Sequence, residues 1–117
     1  MTIVGTAVWQ PEPGRQPELG VEVATGRRIH ERLGARVAVW VPVVGGRPES
    51  VTYTVEFDDM AAWATFADRL AGDREWAAFW ATAASGADPV LTVVDTMLVA
   101  EVDDPRGSRQ PSRRRIT

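Results

Sequence analysis

Few side chains in this sequence pair a reactive group with a spacing that gives it neighbours. His30 is the single histidine, and histidine is the side chain whose ordinary pKa lies nearest neutrality. It is therefore a candidate general base. It also falls on or beside the three-and-four spacing of Leu19, Val23, Gly26 and Leu33, one face of a helix. Its expected role is a packing histidine on the helix-covered side of a sheet. The stretch "SVTYTVEF", residues 50–57, alternates. Val51, Tyr53, Val55 and Phe57 face one way, and Thr52, Thr54 and Glu56 the other. A carboxylate buried among hydroxyls has a raised pKa and can take a proton from a phenol. Glu56 is thus the candidate catalytic residue. Thr52 and Thr54, with Trp40 for stacking and Asp95 on the last strand, are the candidate substrate contacts. The alternative is that these polar groups hydrogen-bond across an interface between two copies, since burying them without partners is costly.

The stretch "REWAAFW" sets Trp76, Phe79 and Trp80 on one helical face. Such spacing is what packing onto a sheet demands; the alternative is a wall for a flat ligand. Space under two helices is limited, so Trp80 is expected to be buried and Trp76 to lie at a rim. Trp63 and Phe66 share a stripe with Leu70 and are expected in the core. Asp58 and Asp59 read as a helix cap. Glu101, Asp103 and Asp104 are strand-end carboxylates, expected to be solvated, so no metal site is assigned. There is no phosphate loop, nucleophile elbow or zinc signature.

Composition narrows the classes further. A chain of 117 residues with 44% hydrophobic residues suits one globular domain. With Cys 0, disulfides and thiolate chemistry are excluded. The basic residues are all Arg, in an Arg-, Ala-, Gly- and Pro-rich chain of the kind GC-rich bacterial genomes encode. Residues 1–104 hold eight Arg against sixteen acids, whereas 105–117 hold five Arg and no acid. An acidic body argues against nucleic acid as a partner. The Arg-rich segment 105–117 reads as a flexible, solubilising tail behind a domain at 1–104. No leader pattern opens the chain and no apolar run approaches the roughly 18 residues of a membrane span, so a cytoplasmic protein without membrane partners is expected.

The elements that must position these residues follow from periodicity and punctuation. "IVGTAVWQ" reads as a strand, stopped by "PEPG". A helix starts at Pro17 and ends at Gly34; Gly20 and Gly26 each cost it about 1 kcal/mol against Ala. "ARVAVWVPVV", 35–44, is apolar on both faces and reads as a strand covered on both sides. After a "GGRPE" connection comes the alternating strand 50–57, then a helix over 60–71 and a second helix capped by Asp73. "VLTVVDTMLVAEV", 90–102, is the last strand. The order βαββααβ is the ferredoxin-like α+β arrangement, an antiparallel sheet with helices on one face. Its other face needs cover, and a second copy supplies it in a dimeric α+β barrel.

Several segments carry a resemblance. "PEPGR", "ERLGARVAVW", "YTVEFDDMAAWATFADRL", "DREW" and "DPV", spread over roughly residues 5–102, resemble the dimeric α+β-barrel superfamily. The likeness is greatest to its NIPSNAP-type and antibiotic-biosynthesis-monooxygenase-type members. The resemblance implies a homodimer that binds a small aromatic ligand, and cofactor-independent oxidation or cyclisation of an aromatic or polyketide-like substrate. The alternative it implies is a non-catalytic binding or interaction module with a closed barrel. Haem-degrading members bind iron through a histidine near the later helix. No His, Cys or Tyr stands there in this chain, so no cofactor is expected.

Overall fold

The computed structural model describes residues 1–102. Segment 105–117, its boundary at 104, and Asp103 and Asp104 lie outside the described residues. The chain runs β1 (Ile3–Pro11), α1 (Gln16–Arg32), β2 (Arg36–Trp40), β3 (Val51–Phe57), α2 (Met60–Gly72), α3 (Arg74–Ala83) and β4 (Leu91–Ala100). The four strands form one antiparallel sheet in the order β2-β3-β1-β4. The helices pack on one of its faces, as the ferredoxin-like order requires.

The strand pairing sets which side chains share that face. Trp9 pairs with Val51 and Val93, and Ala7 with Tyr53. Ile3, Trp9, Val37, Tyr53, Phe57 and Leu91 from the sheet are buried with Leu19 and Ile29 of α1, Leu33 at its C-cap, Phe66 of α2 and Ala83 of α3. The opposite face carries Val4, Thr6 and Val8, Ala38 and Trp40, Thr52, Thr54 and Glu56, and Val94, Met97 and Val99. Trp40 is 58% exposed there and Met97 56%.

The expected β2 over 35–44 stops at Trp40. Its last pairing is Trp40 with Thr52. Pro42 has no N–H to continue a ladder, and Val41, Val43 and Val44 are left exposed in the connection. A second irregularity lies in β4. The β1–β4 register shifts between Thr6 and Val8, and Asp95 sits at φ 54, so one extra residue bulges out of the strand.

Local signals explain the helix ends. Asp59 caps α2 by accepting from the Ala62 N–H at 2.8 Å, and Asp73 caps α3 by accepting from the Trp76 N–H at 2.8 Å. Helix α1 ends in a Schellman motif: Ala35 N–H donates to the His30 carbonyl and Gly34 N–H to that of Glu31, with Gly34 at φ 109. Gly26, costly for the helix, is required by packing. A Cβ there would stand 3.0 Å from the Trp9 indole. The glycine lets α1 lie directly on that ring.

Candidate functional site

Between the sheet and the helices the core does not close. A cavity of about 410 Å³ remains there. The sheet supplies Trp9, Tyr53, Val55 and Val93. Trp63, Phe66 and Leu70 project from α2, Trp76 and Trp80 from α3, and His30 from α1. Thr96 and Leu98 of β4 complete the lining, and the space is open enough to touch Thr6 and Met97 as well, which the strand pairing assigns to the opposite face. No lining residue is charged.

The aromatic groups form a closed circuit. Tyr53 stacks on Trp9 at 4.4 Å, Trp9 meets the edge of Trp80 at 5.7 Å, and Trp80 stacks on Trp76 at 5.0 Å. Trp76 lies 4.4 Å from the His30 ring, which lies 5.4 Å from Tyr53. Offset and edge-on contacts of this kind hold rings rigidly. The circuit presents both ring faces and ring edges to whatever occupies the cavity.

One polar pair interrupts the apolar wall. His30 Nδ1 and the Tyr53 hydroxyl are 2.6 Å apart, and His30 is only 6% exposed. Burial pushes the imidazole down to about 4, so it is neutral near pH 7. Burial likewise pushes the Tyr53 phenol above its ordinary range, with Glu31 adding to the rise and Arg27 opposing it. Two neutral groups therefore share one proton-bearing contact. Outside the cavity, ion pairs tie α1 to α3: Arg32 reaches Asp73 at 2.9 Å and Glu75 at 3.0 Å, and Arg28 pairs with Glu75. These fix the helix that carries His30 against the helix that carries Trp76.

The residues singled out from sequence divide between two faces. Trp40, Thr52, Thr54 and Glu56 are gathered on the outer face. Trp40 Nε1 donates to Thr54 Oγ1 at 3.1 Å, and Thr54 Oγ1 donates to the Ala38 carbonyl at 3.2 Å. Glu56 is exposed and accepts from Arg36 at 3.3 Å. Asp95 is exposed at the bulge, with β1 between its strand and β3. None of these five lines the cavity. His30 packs on the helix-covered side, as expected, but that is the side on which the cavity lies. Trp76 and Trp80 are both half-buried rather than divided into rim and core. Tyr53 and His30 could have been joined in advance: the strand alternation turns Tyr53 towards the helices and the helix spacing turns His30 towards the sheet. Trp9 and Thr96 carry no comparable signal.

No family model matches this chain, and no curated protein matches it. Solved structures do. An uncharacterized NIPSNAP-domain protein from Burkholderia xenovorans aligns with TM-score 0.65 and 22% identity over 86% of this chain and 94% of its own. A NIPSNAP family protein from Agrobacterium tumefaciens aligns with TM-score 0.67 and 19% identity over 88% of this chain and 95% of its own. This chain has the NIPSNAP-type fold. A protein assigned to the antibiotic biosynthesis monooxygenases, from Chloroflexus aurantiacus, aligns with TM-score 0.54 and 13% identity over 89% of this chain and 96% of its own. NIPSNAP-type and monooxygenase-type proteins thus share the scaffold, and at these identities the likeness is one of fold. Among the described residues, no helix is long and apolar enough to cross a membrane, and no three His, Asp or Glu side chains converge on one point.

Proposed function

We propose that this NIPSNAP-type chain binds a small, flat, mostly apolar molecule in the aromatic cavity between sheet and helices. The observation that carries the reading is an uncharged, aromatic-walled space of about 410 Å³ between the sheet and the helices. Apolar pockets of roughly 300–1,000 Å³ with few polar groups are the usual form of small-molecule sites. The catalytic form of this reading is cofactor-independent oxidation or cyclisation of an aromatic, polyketide-like substrate, suggested by the fold shared with the monooxygenase-type neighbour. The non-catalytic form is a binding module. Titration with neutral N-phenyl-1-naphthylamine, followed by quenching of the cavity tryptophans, tests binding. Absence of saturable quenching refutes it. Oxygen uptake with a panel of aromatic quinols then separates the two forms.

A second copy belongs to the same proposal. The outer face exposes Trp40 and Met97 alongside Val4, Val8, Val94 and Val99, and large exposed apolar patches mark interfaces. Face-to-face pairing of two sheets places Thr52, Thr54 and Glu56 with Trp40 in the barrel interior. There Glu56 is the candidate base, and Asp95 a candidate contact at the edge. Sedimentation should give about twice 12.8 kDa. Trp40→Asp combined with Met97→Asp should give a folded monomer, because both side chains are exposed in the single chain.

A further inference from the structure

We infer that the His30–Tyr53 pair sets the specificity of the cavity, selecting an uncharged ligand that carries one hydroxyl or carbonyl on an apolar ring system and rejecting carboxylates of the same size. The inference rests on the cavity being a ligand site, as proposed above. It starts from the second nitrogen of the imidazole. Nδ1 is engaged with the Tyr53 hydroxyl at 2.6 Å. Nε2 has no hydrogen-bond partner among the described residues and is not sealed within protein, while the ring lines the cavity. A ligand group that meets Nε2 therefore fills the one open hydrogen-bonding position on the imidazole in an otherwise apolar wall.

The pair can serve a donor or an acceptor. When the Tyr53 hydroxyl donates to Nδ1, the proton of the neutral ring sits on Nε2 and is offered to a carbonyl. When Nδ1–H donates to the Tyr53 oxygen, Nε2 is a lone pair that accepts from a ligand hydroxyl. Passing from one arrangement to the other turns the Tyr53 hydroxyl and changes the imidazole tautomer, Nε2 giving up its proton to solvent or ligand as Nδ1 takes one up, with the 2.6 Å contact kept. The ring itself is fixed from three sides. Trp76 lies 4.4 Å away, Tyr53 5.4 Å and Phe66 5.5 Å, and the Schellman motif pins the His30 carbonyl. A fixed donor–acceptor in an apolar surround discriminates more sharply than an exposed one, since the wrong ligand leaves a buried group unmet. An anion finds nothing to offset its lost hydration: no Arg lines the space, and the imidazole is neutral at the pH of use.

The test uses four probes of similar outline at pH 8: naphthalene, 1-naphthol, 1-tetralone and 1-naphthoate, titrated against the whole chain by tryptophan quenching and calorimetry. Naphthol and tetralone should each bind roughly three- to tenfold tighter than naphthalene, the range of one neutral hydrogen bond. Naphthoate should bind at least tenfold weaker than naphthol. In His30→Leu the three neutral probes should converge. Tyr53→Phe, which keeps the stack on Trp9 and removes one oxygen, should lose part of the preference and leave naphthalene within twofold. Equal affinity of naphthol and naphthalene for the wild-type chain overturns the inference, as does an undiminished preference in either folded variant or tight binding of naphthoate. If naphthalene itself does not bind, the ligand-site reading falls as well, and the two failures are thereby distinguished.

Discussion

A buried neutral imidazole makes stability depend on pH in a window where little else titrates. His30 stands at about 4 in the fold against 6.5 as an ordinary histidine, with burial as the cause. The unfolded chain therefore takes up a proton below 6.5 that the folded chain refuses. Stability is full above 6.5 and is lost as pH falls from 6.5 towards 4. With these two values the loss between pH 8 and pH 5.5 is about 1.4 kcal/mol, and it levels at about 3 kcal/mol below pH 4. On a domain of this size, about 1.4 kcal/mol lowers Tm by about 5–10 °C. The carboxylates act elsewhere. Asp73 is held below its ordinary value chiefly by the Trp76 N–H, Glu75 by Arg28 and Glu18 by Arg15. Their contribution is present above the ordinary carboxylate range and disappears below it, outside the window. Urea unfolding at pH 8 and pH 5.5, for wild type and His30→Gln, isolates the effect. The variant's absolute stability is immaterial; only its pH dependence counts. The wild type should lose about 1.4 kcal/mol more than His30→Gln. An equal loss in both would show that the imidazole takes up its proton in the fold as readily as in the unfolded chain.

Other perturbations separate packing from binding. Gly26→Ala should destabilise despite its better helix propensity, because the new Cβ meets Trp9 at 3.0 Å. Gly20→Ala in the same helix, with nothing within 4 Å, should gain about 0.5–1 kcal/mol by urea unfolding. Trp76→Ala and Trp80→Ala should each cost less than the about 3–5 kcal/mol of a fully buried indole, and both should lower N-phenyl-1-naphthylamine affinity. A full-sized stability loss with unchanged affinity would make them plain core.

Much of the architecture was legible in the residues. Alternation in "SVTYTVEF" assigned both faces of β3, and Asp59, Asp73 and Gly34 marked helix ends that the structure places within a residue or two. Apolar character persists past Pro42, so the residues alone extend β2 to 44, whereas the ladder ends with the Trp40–Thr52 pair. The cavity was not legible. It is a property of how far helices stand from a sheet, set by Trp9 under Gly26 and by the α1–α3 ion pairs, and each involves residues distant in sequence. The same distance hid His30. Its side of the helix was readable, and so was the face of Tyr53 that meets it, but not the space beside both.

The bulge at Asp95 has a consequence for how β4 could misfold. Without it, the ladder from Val93 onward would slip by one residue, turning Met97 and Val99 inward and Thr96 and Leu98 outward. Three of those four side chains are apolar, and the fourth, Thr96, carries only a hydroxyl, so none of them strongly opposes either setting. Asp95 is not, because the slipped setting would turn its carboxylate in beside Ala7 at the apolar cavity. An aspartate also accepts the left-handed backbone that the bulge needs. One residue thus favours the correct phase and penalises the wrong one. Asp95→Asn should keep a single phase. Asp95→Val, strained at φ 54 and content when buried, should let both coexist, seen as doubled amide resonances along β4.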